Sequence, residues 1–195
     1  MKQNVKTCVI PFSKLEKTAY EYCKQANHIS GETPVKRREK FEKQAANVWE
    51  NMKEGKVQVA LVFAEDGTEN ENLFPKEWMD DHLRMSEETV RVCLYRVYIP
   101  EEPPREEKFS LQFLQDNWCE AVILAAKDNI EQYLKEERWK TESVESVAAG
   151  IDGLPLECVF EWTKKCKQAG IEVEISSDGH ITPENSLFAA YIEHK

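Results

Sequence analysis

The sequence predicts an α+β protein, with an N-terminal small mixed sheet with helices and a C-terminal, mostly helical domain. Three observations carry that reading. Within the first hundred residues, two stretches with apolar residues at helical spacing, closed by Gly31 and Gly55, alternate with strand-like runs. A charged stretch with two prolines, EEPPREEK, follows at 101–108. Beyond it a long helical run leads into a hairpin signal near residue 178. The expected organisation is an α+β domain at 1–100, an acidic proline-containing linker at 101–109 and a helical domain at 110–195. With 195 residues, 41% of them hydrophobic, the chain can fill one sizeable core or two small ones.

Taken in order, VKTCVIP at 5–11 reads as a strand ended by Pro11, and Ser13 is placed to cap a helix with apolar Leu15, Ala19, Tyr22, Ala26 and Ile29. A second helix opens with Thr33 as cap and Pro34 at its first position, and buries Phe41, Ala45, Val48, Trp49 and Met52. VQVALVFA at 57–64 is apolar on both faces, as a strand covered on two sides must be. A polar loop at 65–72 and a short helix at 75–85 follow. TVRVCLYRVYI at 89–99 is a long strand whose Arg91 and Arg96 fall on opposite faces, so at least one must reach solvent or a carboxylate. The helical run then extends from Ser110 to about Arg138. Its WCEAVILAA segment at 118–126 is apolar nearly all round and must be buried, and Asn117 with Glu120 offers a capping box that would split it near Asp116.

Residues 144–170 place the small Ala149, then Gly153 and Leu154, before apolar Val159 and Trp162, a spacing that resembles a helix-turn-helix. An alternating stretch at 171–177, the turn Ser177-Asp178-Gly179-His180 and a return strand at Ile181 extend the likeness to a winged helix over 118–182. The C-terminal domain is therefore expected to be winged-helix-like. That likeness is one of fold pattern and does not by itself imply DNA binding.

Charge is divided unevenly. Residues 1–64 hold twelve Lys/Arg against seven Asp/Glu, and 65–195 hold fourteen against twenty-nine, a net +5 and −15. The division points to binding rather than chemistry. The expected function is a non-enzymatic intracellular binding or regulatory protein, cytoplasmic, whose acidic surface engages a protein partner with a basic surface. The residues assigned to that contact are Glu101, Glu102, Glu106 and Glu107 of the linker, with Glu157 and Glu161. The alternative is nucleic-acid or other anion binding by Lys36, Arg37, Arg38, Lys40 and Lys43, joined by Lys164 and Lys165. Lys36, Lys40 and Lys43 share one side of their helix, and positive charge in its first turns opposes the macrodipole and calls for an anion. The bland reading of the same stripe is a solvated face paired with Glu39 or Glu42. Base reading is disfavoured by Glu157 and Glu161, which stand where Arg, Lys, Asn or Gln would be needed.

Few residues advertise catalysis. Asp80-Asp81-His82, with Glu77 nearby and His28 or His180 as distant recruits, is the one compact set of metal-capable side chains, and a metal-dependent enzyme centred on Asp80/Asp81 is a further alternative. No nucleophile-elbow or phosphate-cradling glycine motif occurs, so no catalytic residue, metal ligand or cofactor is assigned. The six cysteines are scattered without a C-x-x-C pair, as expected of small core residues in a reducing compartment. No run approaches the length of a membrane span, so no membrane contact is expected. Trp78, Tyr95, Tyr98 and Trp139 are alternatives between core and recognition surface.

Overall fold

The computed structural model describes residues 4–64, 73–78, 91–137, 139, 144–151 and 153–193. Strand β1 (Asn4–Pro11) runs directly into helix α1 (Phe12–Ala26), because Pro11 itself takes the capping position with extended backbone and ends the strand. The Ser13 cap expected from sequence is not formed: the helix already begins at Phe12 and has no side-chain cap bond. Helix α2 (Val35–Met52) buries Phe41, Ala45, Val48, Trp49 and Met52, the five residues its periodicity predicts. Pro34, not Thr33, precedes its first turn, and the Thr33 hydroxyl instead accepts the Ser30 N–H at 2.9 Å.

Strands β2 (Lys56–Ala64) and β3 (Arg91–Tyr98) are buried on both faces. Helix α3 (Phe109–Glu136) runs unbroken for 28 residues, so Asn117 and Glu120 sit inside it and form no capping box. Strand β4 (Val144–Val147), helix α4 (Cys158–Gln168), the short β5 (Glu174–Ile175) and β6 (Ile181–Thr182), and strand β7 (Ser186–Glu193) complete the chain.

The expected small mixed sheet is five-stranded, ordered β1-β2-β3-β7-β4, and every pairing in it is antiparallel. It takes β1 to β3 from before the 101–109 segment and β4 and β7 from after it. That segment is therefore not a break in the sheet, and the main core likewise joins α1 and α2 to α3. One face, with Val59, Leu61, Cys93, Tyr95 and Tyr191, lies under α1, α2 and α3, where Trp49 and Trp118 meet at 4.7 Å between ring centroids. The other face, with Val62, Leu94, Phe188 and Ile192, is covered by α4 and by Leu73, Phe74 and Trp78. Trp162 of α4 is fully buried there; its indole N–H donates to the Leu73 carbonyl at 2.9 Å. Two-sided cover is why β2 and β3 read as continuous apolar runs.

The helix-turn-helix expected at 144–170 is instead strand, turn and helix. Val144, Glu145, Ser146 and Val147 pair antiparallel with the end of β7, and that tertiary pairing outweighs the helical spacing. Gly150 and Gly153, both at positive φ, then turn the chain into α4. A winged helix is thus not what the described residues build, although the hairpin β5–β6 follows where expected. Arg96, 4% exposed, holds that hairpin to the sheet: its guanidinium donates to the carbonyls of Glu172 and Thr182 at 2.5 Å each and stacks over Tyr98. Arg91, on the opposite face, meets the Glu193 carboxylate at 2.5 Å. Among the described residues, no helix is long and apolar enough to cross a membrane.

Candidate protein-binding face

The acidic segment after β3 is held in place rather than loose. Pro100, Pro103 and Pro104 lack the N–H groups a strand or helix needs, so other residues must fix the backbone here. Gln115 of α3 donates from Nε2 to the Pro104 carbonyl at 2.8 Å, and the Glu106 N–H donates to Gln112 Oε1 at 2.8 Å. Asn51, at the end of α2, donates to the Glu106 carboxylate at 2.9 Å, and Asn185, before β7, to that of Glu102 at 2.5 Å. Four side chains, from α2, α3 and the turn before β7, thereby clamp one stretch. Glu101 and Glu107 remain exposed, and neither has a hydrogen-bond or ion-pair partner among the described residues.

Immediately beyond, the first turns of α3 present Phe109 and Phe113 to solvent, 87% and 54% exposed. They stand four residues apart on one side of the helix, out of phase with the buried Leu114, Trp118 and Ala121. Two clefts flank the segment. One, of about 380 Å³, has Val9, Met52 and three prolines in its wall with Glu54, Glu101 and Glu102. The other, of about 520 Å³, lies between the segment, α3 and the β6–β7 turn, and carries Glu102, Asp116 and Glu184 against Arg105 as its fixed charges. Glu102 belongs to both.

The remaining residues assigned from sequence lie elsewhere. Glu157, just before α4, and Glu161 within it are exposed, and α4 covers the far face of the sheet; Glu161 pairs with Lys164 at 2.5 Å. Lys165 is half-buried and has an interaction of its own. On α2, Lys36, Arg37, Lys40 and Lys43 are exposed, while Arg38 is half-buried with its Nε 4.0 Å from the Glu42 carboxylate. Arg37 reaches the Asn27 carbonyl at 3.4 Å. Lys36, Lys40 and Lys43 have no ion-pair partner among the described residues.

Asp80, Asp81 and His82 lie outside the described residues, and so does most of the helix expected at 75–85. Among the described residues no group of three or more His, Cys, Asp or Glu is placed to hold a metal. Of the four aromatic residues weighed as a recognition surface, Trp78, Tyr95 and Trp139 are buried and Tyr98 lies half-buried under Arg96.

Sequence reasoning missed Phe109 and Phe113. The signal was present: once the buried stripe of α3 is drawn through Leu114 and Trp118, both phenylalanines fall about 100° or more away from it. It also missed a cleft of about 540 Å³ between β1 and α3, where Cys8, Lys14, Tyr133 and Glu136 meet. Comparison with known proteins adds no relative: no protein family matches the chain, and no curated protein matches its sequence.

Proposed function

We propose that this is a non-enzymatic binding or regulatory protein that engages a basic partner protein through the face formed by residues 101–113. The observation that carries the reading is the pairing of two exposed phenylalanines, one helical turn apart, with an acidic segment held by Asn51, Gln112, Gln115 and Asn185. Neighbouring exposed apolar side chains rimmed by polar residues mark interaction sites, and interfaces use aromatic residues as anchors inside a polar rim. A clamped segment has already lost its conformational freedom, so binding does not have to order it. The carboxylates of Glu101, Glu102 and Glu107 would steer a cationic surface into place and act chiefly on the association rate.

The test is an array of short peptides in which apolar anchors are flanked by Lys and Arg, probed with the full chain at low and moderate salt. Peptides carrying both features are expected to bind, and raising the salt to slow association. The Phe109→Ser/Phe113→Ser variant should lose binding, by about 2 kcal/mol or roughly 30-fold for each anchor. Retention of the same peptides by that variant rejects the face.

A second reading, nucleic-acid binding, is favoured by one observation: the unpaired Lys36, Lys40 and Lys43 on α2. It rests on α2 alone, since Lys164 is engaged with Glu161. Its mark is an affinity for DNA or RNA that falls steeply with salt and drops when Lys36 and Lys40 are changed to Glu.

A further inference from the structure

The cleft of about 520 Å³ beside the acidic segment has a chemistry narrower than general negative charge. Glu102 and Asp116 each receive one amide donor, from Asn185 at 2.5 Å and from Gln112 at 2.7 Å. Each carboxylate is thus oriented through one oxygen, and the second oxygen of each has no partner among the described residues. Cys119 lines the same cleft, its buried thiol pushed up to about 12 by desolvation first and then by these same two carboxylates. Gln115 adds an independent feature. It lines the cleft, it is only 2% exposed, and its Oε1 has no hydrogen-bond donor. The amide cannot profitably turn over, because its Nε2 already donates to the Pro104 carbonyl, and exchange would set two acceptors against each other.

A cleft with two oriented carboxylates and a carbonyl acceptor in need of a donor calls for a ligand that is cationic and rich in N–H groups. Building on the reading of residues 101–113 as a protein-binding face, we propose that this cleft takes the guanidinium group of an arginine side chain from the basic partner. Arginine fits better than lysine: its planar fork carries five donors in fixed directions and can address several oxygens at once, whereas an ammonium is a compact point charge with three. Arg105 stands on the same cleft but leaves three carboxylates against one guanidinium, so the wall remains anionic.

The probes are Nα-acetyl-arginine amide and Nα-acetyl-lysine amide, titrated into the full chain labelled with nitrogen-15. The arginine probe is expected to shift the Gln115 side-chain amide resonances, with an affinity at least tenfold above that of the lysine probe. Glu102→Gln and Asp116→Asn, both exposed positions whose replacement leaves the core intact, should each weaken it about tenfold. Equal response to the two probes, no response to either, or an arginine response unchanged in both variants overturns the assignment. Peptide binding by the 101–113 face, abolished by Phe109→Ser/Phe113→Ser, is a separate readout. If it persists while the arginine response is absent, only the arginine cleft is lost; if it is absent while the response is present, the cleft stands and the wider face is lost.

Discussion

Gly55 is glycine because the ring of Phe12 occupies the place of its side chain: a Cβ there would meet three ring atoms at 2.5 to 2.9 Å. Phe12 is 1% exposed and stacked on Trp49, so the ring has no free direction in which to give way. Gly55→Ala should therefore destabilise the fold by about 1–3 kcal/mol, the usual cost of overpacking a filled core, read as a lower urea midpoint. The sequence marks Gly55 only as the end of α2; the close approach of a residue from α1 is not a local property and leaves no local trace. Cysteines behave in the opposite way, since their scatter through apolar runs announced their burial. Five of the six are buried and Cys8 alone is half-buried. Iodoacetamide at pH 8 should accordingly alkylate Cys8 first and leave the others until the protein unfolds, as peptide mapping by mass spectrometry will show. Early labelling of Cys93 or Cys166 would contradict the packing on either face of the sheet.

Among elements, those with a strong period and a single buried side were legible. Helix α2 was, because its five buried residues lie on one stripe and Pro34 and Gly55 bracket it. Strand β4 was not. Its four residues take their form from pairing with β7, some forty positions away, and nothing within VESV outweighs the helical spacing that follows. The hairpin β5–β6 was legible from its turn, but its attachment was not, because it depends on Arg96 of β3. Arg96→Ala removes the two guanidinium donors from the Glu172 and Thr182 carbonyls and empties a buried volume. A loss of about 2–4 kcal/mol is expected, with faster amide exchange in the hairpin than in β7. Arg96→Lys should restore only part of it, since one ammonium does not reproduce the fork that spans both carbonyls. Uniform exchange across hairpin and sheet in the alanine variant would show that Arg96 does not act as their link.

At the scale of the whole molecule, composition foretold an α+β protein, but the division at 101–109 did not foretell one sheet running through both halves. Charge and proline content mark a segment as polar and irregular; they do not tell a free linker from one bound down by Asn51, Gln112, Gln115 and Asn185. Burial of thiols and phenols also shapes the response to pH. Desolvation raises Cys23 and Cys166 from an ordinary 9.0 to about 12, and Tyr95 from 10.0 to about 12. Because the folded values lie above the unfolded ones, the stability tied to the neutral forms is complete below pH 9.0 and is lost as pH rises toward 12. Urea midpoints should be insensitive to these groups up to about pH 9 and should fall steadily above it. Hydrogen exchange of the full chain, with and without a bound basic, apolar peptide, reads the face at 101–113 residue by residue. Slowed exchange is expected, concentrated in residues 101–116 and at Asn185, and lost in Phe109→Ser/Phe113→Ser. Protection confined to α2 around Lys36 and Lys40, with residues 101–116 unchanged, would contradict it.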